Sequence, residues 1–203
     1  VNGVAISSSR LGVLAAALLA CGAAPIAAQE GRGRYYFGGG LAVADHSGEQ
    51  AGIGIDDTPV GATLYGGAQL RERVAIEAAW SSFPTVSSGD VLGSGVSRLR
   101  IDSDFDVLVV RGVFSLYLGD GFPRAARWTL FGTAGGFSSN ESRRVVELTT
   151  ATASDESIDD SGVALGAGVF YDLNNLRLRA GFEQRGGRHT DQTAIGVAAE
   201  FRF

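Results

Sequence analysis

The final eleven residues, Thr193 to Phe203 (TAIGVAAEFRF), put two different chemistries on the two faces of one strand. Ile195, Val197, Ala199, Phe201 and Phe203 share one parity, and Ala194, Gly196, Ala198, Glu200 and Arg202 share the other. The preceding segment repeats the division more sharply, with Leu176, Leu178, Ala180 and Phe182 opposed to Arg177, Arg179, Gly181, Glu183 and Arg185. An Arg turned toward lipid costs roughly 2–4 kcal/mol at the bilayer midplane. If these strands cross a membrane, the charged row faces a closed interior and the apolar row faces hydrocarbon.

Eight segments of this kind recur, at 34–44, 60–70, 74–83, 104–118, 127–137, 162–172, 176–185 and 193–203. Each is close to the ~9–11 residues that a tilted strand needs to cross a bilayer. The connections alternate in length. Those at 70–73, 119–123 and 173–175 are short, while 45–59, 84–103, 138–161 and 186–192 are mostly longer and polar. Short turns on one side and long loops on the other are the habit of membrane barrels, and an even strand count places both termini on the short-turn side. Thirty glycines and 45% hydrophobic residues suit many short strands joined by turns. The expected fold is all-β: an eight-stranded antiparallel up-and-down transmembrane β-barrel.

Parity then predicts what fills it. Glu77, Arg111, Glu200 and Arg202 turn inward with Arg177, Arg179, Glu183 and Arg185, and their mixed signs predict a lumenal charge network, because buried charges must be paired. An eight-stranded interior is just wide enough for side chains, so bulk porin activity is not expected. Inward positions for Gly38, Gly40, Gly61, Gly67, Gly166 and Gly168 leave a narrow water-filled path as an alternative. Tyr35, Phe37, Tyr117, Phe122, Trp128, Tyr171, Phe201 and Phe203 near one end, and Trp80, Phe83, Phe105 and Phe137 near the other, read as two interfacial aromatic girdles.

The amino-terminal part reads as an export signal. Arg10, the apolar run Leu11 to Ala20 and the small residues up to Ala28 form a charged start, a short apolar stretch and a cleavage site, too short to span a bilayer. This divides the chain into a signal peptide, 1–28, and a barrel domain, 29–203. The chain begins at Val1 and contains no Met, which points to an alternative start codon or a trimmed start. Cys21 is the only cysteine, preceded by Leu18-Leu19-Ala20, and reads either as a lipid attachment site or as one more small residue of the signal. All 17 basic residues are Arg, which reads as codon bias; a net charge of −5 with no basic run argues against nucleic acid.

The terminal strand ending in Phe, the signal, the eight segments and the loop alternation together resemble the OmpA- and OmpX-type outer-membrane barrels, including the opacity-type surface proteins. The resemblance implies that the terminal row Ile195, Val197, Phe201 and Phe203 is an assembly signal for the barrel-assembly machinery. It also implies residence among outer-membrane lipid and lipopolysaccharide of a bacterial cell; no cofactor is expected, and a monomer is the default. No peptidoglycan-binding domain is expected after Phe203, so that OmpA role does not carry over. What the resemblance leaves is a structural role with surface loops that touch an extracellular ligand, for envelope integrity or adhesion. The acidic, Ser- and Thr-rich stretch 138–161 is the expected contact loop, against the plainer reading of a solvated loop.

Three further readings follow from particular residues. Asp102, Asp104 and Asp106 share the parity of Leu108, Val110, Phe114 and Leu116, so they project outward at the height of lipopolysaccharide phosphates, where a divalent ion would bridge the two. Val107 stands where an EF-hand loop needs Gly, and Val113 where it needs Glu. An enzyme acting on lipid A would draw on His46 and His189 with Asp45, Ser47 and Asp191, although His189-Thr190-Asp191 lacks the His-x-Ser arrangement of lipid A deacylases. A soluble lipocalin-like barrel is the structural rival, and it would invert every strand.

Overall fold

The computed structural model describes residues 35–50, 53–92, 98–117, 128–147, 150, 152–173, 175–188 and 191–203. Nine antiparallel strands run in chain order: β1 (Tyr35–Gln50), β2 (Ile53–Asp57), β3 (Val60–Arg71), β4 (Val74–Leu92), β5 (Arg98–Tyr117), β6 (Trp128–Glu147), β7 (Thr152–Leu173), β8 (Leu176–Gly186) and β9 (Asp191–Arg202). Each pairs with its sequence neighbour, except that β1 passes β2 to pair with β3, and β1 then pairs with β9 from Tyr36↔Arg202 to Ser47↔Asp191. The ends are tied by Tyr35 N–H to the Phe203 carbonyl at 3.3 Å and Phe203 N–H to the Tyr35 carbonyl at 3.0 Å. The result is a closed eight-stranded antiparallel barrel, and no helix occurs among the described residues.

The ninth strand is not a ninth stave. β2 continues the line of β3, pairing with β1 from His46↔Asp57 to Gln50↔Ile53, just above the β1–β3 ladder that ends at Val43↔Val60. Thr58 and Pro59 interrupt it, because Pro has no N–H to give the ladder. The Pro59 carbonyl still accepts Ala44 N–H at 3.1 Å.

Five strands run well past the lengths read from sequence. β1, β4, β5, β6 and β7 contain 16, 19, 20, 20 and 22 residues. The stretch 138–161, expected as a loop, is instead the upper half of a hairpin paired without a break from Ser138↔Ser161 to Glu147↔Thr152. Much of 84–103 is likewise ladder, with register shifts between Phe83 and Val86 and between Ser88 and Val91. Pro84 lies in the first of these, where its missing N–H makes a bulge the natural outcome. The short β3–β4 turn stays at the end with both termini. Glu72 and Arg73 form the β3–β4 turn, where Gln69 Nε2 donates to the Glu72 carbonyl at 2.8 Å.

The wall is inside-out relative to a water-soluble sheet. Ile195, Val197 and Phe201 are 63%, 60% and 60% exposed, whereas Glu200 on the same strand is 1% exposed. The outward apolar surface continues over Leu41, Leu64, Val110, Phe114, Leu116, Leu165, Leu178 and Phe182. The soluble rival would need the reverse.

Two expectations change. Phe83, Phe105 and Phe137 are buried in the lumen, with Phe83 stacked on Phe105 at 4.4 Å, so they form an internal layer and no girdle. The other end keeps an outward aromatic pair, Trp128 with Tyr171 at 4.8 Å. Space at several of the inward glycines is filled, because rings lie over them. A Cβ on Gly38 would sit 2.5 Å from Tyr65 Cζ, on Gly67 2.4 Å from Tyr36 Cζ, on Gly168 2.5 Å from Phe131 Cζ and on Gly61 2.5 Å from Phe83 Cδ1. Three of these rings stand on the residue directly opposite in the ladder, in the pairs Gly38↔Tyr65, Tyr36↔Gly67 and Phe131↔Gly168. The ring covers the backbone that glycine leaves bare.

Gly67→Val therefore forces Tyr36 from its place and presses on the Ile76 carbonyl, which a Cβ would approach to 2.6 Å. We expect an overpacking loss of about 1–3 kcal/mol, read as a lower urea midpoint for the barrel folded in detergent. An unchanged midpoint would show that Gly67 is not needed for packing.

Candidate functional site

The strand alternation brings the inward charges of β4, β5, β8 and β9 to the barrel axis, where they meet despite wide separation in sequence. Glu77, 1% exposed, is the centre. It accepts Arg111 Nε at 2.8 Å, Arg179 Nη1 at 3.0 and 2.8 Å, and the Tyr36 hydroxyl at 3.1 Å. Arg111 bridges onward to Glu183, which also takes Arg185 Nε at 2.8 Å. An alternating chain results: Arg179, Glu77, Arg111, Glu183, Arg185. Arg185 reaches further to the Gln192 side-chain oxygen at 3.4 Å.

A second group lies nearer the termini. Arg177 donates to Asp172 at 2.6 Å and stands 3.5 Å from Glu200. Arg202 donates to Gln69 Oε1 at 2.7 Å and lies 4.0 Å from Asp172, while its Nε is buried without a partner among the described residues. The charges are also wrapped in rings. Phe131 and Phe170 stack at 4.3 Å, the Arg177 guanidinium lies 4.4 Å over Phe170, and that of Arg179 lies 4.5 Å over Phe131 and 5.1 Å over Tyr65. Cation–π attraction is strongest where water is excluded, as here. Charged groups and rings together obstruct the lumen at mid-height, and cavities of about 80 Å³ and about 20 Å³ lie among them. Such a bore is no general porin.

Several members were not singled out from sequence. Tyr36, Tyr65, Phe131, Phe170 and Asp172 all belong to this plug, and the parity of Tyr36 with Gly38 was the available signal. Nearer the upper mouth, Glu141 and Arg143 are paired and buried, and Asp160 accepts the backbone N–H of Ser161 at 2.8 Å and of Arg188 at 2.9 Å. The Arg188 bond fastens the start of the β8–β9 connection to β7.

Outside the membrane zone, β5, β6 and β7 form a sheet whose outward face is acidic. The register sets Asp102, Arg144 and Asp155 in one row, Asp104, Ser142 and Ser157 in the next, and Asp106, Asn140 and Asp159 in a third. Asn140 donates to Ser157 at 3.0 Å and to Asp159 at 2.6 Å, and Arg100 pairs with Asp102 at 3.2 Å. Partial burial and the neighbouring Asp106 carboxylate raise the Asp104 carboxyl above its ordinary range. No group of three His, Cys, Asp or Glu side chains converges to hold a metal among the described residues. Of the candidate hydrolytic set, Ser47 and Asp191 are ladder partners and His46 pairs with Gln192. His189 lies outside the described residues, as do the 1–28 signal, Cys21, Phe122 and the side chains of His46, Ser47 and Tyr117.

Removing one member of a buried pair leaves the other charge without compensation, which costs about 3–5 kcal/mol. Glu77→Ala strands two guanidiniums, so we expect a loss of at least about that size in detergent-solubilised unfolding. Arg144→Ala, from a pair whose side chains are 60% and 84% exposed, should stay within about 0.5 kcal/mol. Equal losses for the two variants would contradict this assignment.

Comparison with known proteins agrees with this geometry. Ail, the attachment invasion locus protein of Yersinia pestis, solved with the heparin analogue sucrose octasulfate, is similar in structure, with a TM-score of 0.57 at 15% identity over 85% of this chain and 100% of that one. The N-terminal β-barrel domain of Pseudomonas aeruginosa OprF gives 0.51 at 13% identity over 85% and 100%, and a major outer membrane protein from Thermus thermophilus gives 0.53 at 12% over 83% and 99%. No curated protein matches in sequence. Identities this low show a shared fold. The family model described as the outer membrane protein beta-barrel domain matches residues 13–203, nearly the whole chain. The chain is thus a bacterial outer-membrane protein and belongs to the outer membrane protein beta-barrel domain family.

Proposed function

We propose that this protein is a non-enzymatic scaffold in the outer membrane that carries a rigid sheet above the lipid for contact with an extracellular partner. The observation that carries this reading is the outer edge of β7. From Thr152 to Gly162 it pairs with β6 alone among the described residues, because its ladder with β8 begins only at Val163↔Gly186. A strand edge with unspent N–H and C=O groups is a template for an added strand. Its side chains set the selectivity. Asp155, Glu156 and Asp159 lie along the edge, and Asp102, Asp104 and Asp106 lie on the same hairpin sheet, so the partner is an extended, basic polypeptide.

The supporting roles complete the proposal. Residues 1–28 serve as an export signal and 29–203 as the barrel domain. The lumenal charges Glu77, Arg111, Arg177, Arg179, Glu183, Arg185, Glu200 and Arg202 seal the bore. The exposed row Ile195, Val197, Phe201 and Phe203 is offered to the barrel-assembly machinery before lipid covers it, and the folded protein is a monomer in contact with lipopolysaccharide.

Replacing residues 139–160 by a two-residue turn removes the edge and leaves the membrane-spanning ladder intact. Cells displaying the shortened protein should lose binding to an immobilised Arg- and Lys-rich extended peptide by on the order of tenfold or more, while the barrel keeps its heat-dependent shift in gel mobility. Undiminished binding by a correctly folded shortened barrel would overturn the proposal.

A further inference from the structure

The outer wall is apolar but uneven. Across β1, β9, β8, β7 and β6 the ladders align one outward row, Gly39, Ala199, Leu178, Tyr171 and Trp128, beneath a second row, Leu41, Val197, Ala180, Val169 and Leu130. Gly39, Ala199 and Ala180 are much smaller than their neighbours, and the surface sinks beside them. The result is an open groove of about 520 Å³ that runs from the Trp128–Tyr171 pair to Leu41. Its exposed lining is almost wholly apolar.

The groove also has a direction. Trp128 is the first residue of β6, Leu178 the third of β8 and Gly39 the fifth of β1, and all three strands start at the end that carries the termini. In outer-membrane barrels that end is periplasmic, so the groove climbs from the periplasmic surface into the wall. Its lower end is marked by Trp128 and Tyr171, whose rings lie 4.8 Å apart, and such residues sit at headgroup level. Five neighbouring strands span about 19 Å at ~4.8 Å each. With strands tilted by ~35–45°, that path rises about 12 Å. One leaflet of a bilayer has about 15 Å of hydrocarbon, so the groove crosses most of a single leaflet and ends short of the midplane.

The occupant follows from this depth, slope and lining. Around the barrel the groove is continuous with the surface that faces lipid, and an inclined apolar channel starting at headgroup level has the course of one acyl chain. Escape from water contributes nothing between groups already in hydrocarbon, so the gain is van der Waals packing. A depression that mobile lipid fills poorly forfeits dispersion contacts, and one ordered chain lying in it restores them. We propose that this groove is a binding site for one acyl chain of a periplasmic-leaflet glycerophospholipid, with the ester end beside Trp128 and Tyr171 and the chain crossing Ala180 and Ala199 toward Leu41. Lipopolysaccharide, whose phosphates stand at the opposite surface, does not present a chain at this end. The site is independent of the extracellular sheet.

The test titrates the full chain, folded in zwitterionic detergent, with dipalmitoylphosphatidylethanolamine and counts the lipid retained by native mass spectrometry. One lipid should stay on each barrel. Ala180→Phe fills the groove and should weaken retention about tenfold, the change expected when a ring displaces a few methylene contacts; Ala199→Phe does the same from β9 if the first variant does not fold. Ala134→Phe puts an equal ring on the outward face of β6, away from the groove, and should retain lipid as the unaltered protein does. Trp80→Phe leaves Trp128 as the one tryptophan, and its fluorescence should be quenched by the same lipid brominated near the ester end of its chain. No retained lipid, equal retention by a folded groove-filled variant, or unquenched Trp128 would each overturn the proposal. So would a dimer that Ala180→Phe dissolves, because a second copy would then occupy the groove.

Discussion

A backbone inside hydrocarbon must satisfy every N–H and C=O within the protein, and here that requirement is met by joining the first strand to the last. Twelve consecutive ladder positions, Tyr36↔Arg202 to Ser47↔Asp191, turn an open sheet into a tube with no edge at membrane depth. Once the tube is closed, each residue faces either lipid or lumen. A slip of one residue at the seam would exchange Glu200 with Phe201 and expose carboxylates to lipid, so the alternating pattern and the closure enforce one another.

The enclosed volume sets the next constraint. Eight strands leave space for one layer of side chains across the axis, and this chain fills it with ion pairs and rings in alternation along the bore. Glu77 is shared by Arg111, Arg179 and Tyr36, so three strands beyond its own are held by one carboxylate. The rings of Tyr36, Tyr65 and Phe131 lie on the glycines opposite them, which lets bulky groups occupy a narrow tube without pushing its wall outward. Rigidity at the axis suits a protein whose upper strands extend beyond the lipid, because the hairpin inherits its orientation from the barrel below.

Polarity was the legible part of the chain. The alternation of Leu176, Leu178 and Phe182 with Arg177, Arg179 and Glu183 assigns a face to every residue without knowledge of register. The extent of the strands was not legible, because the upper hairpin is polar on both faces and lacks the apolar row that marks a membrane strand. Ser138 to Ser161 is extended because its ladder continues upward from the barrel, aided by cross-strand partners such as Asn140 with Asp159. The inward place of Phe83, Phe105 and Phe137 could have been read, since they share the parity of Glu77, Arg111 and the other odd-numbered lumenal residues on their own strands. Their position near strand ends suggested an interface, and parity outweighs it. The covering of glycines by rings depends on which residues stand opposite, and a single sequence contains no register.

Photolabelling from the bilayer tests the central claim of an apolar exterior around an ionic lumen. With a carbene precursor dissolved in the hydrocarbon of reconstituted vesicles, adducts should collect on Leu178, Phe182, Ile195 and Val197 and be missing from Arg177, Arg179, Glu183 and Glu200. The opposite distribution on β8 and β9 would contradict the account.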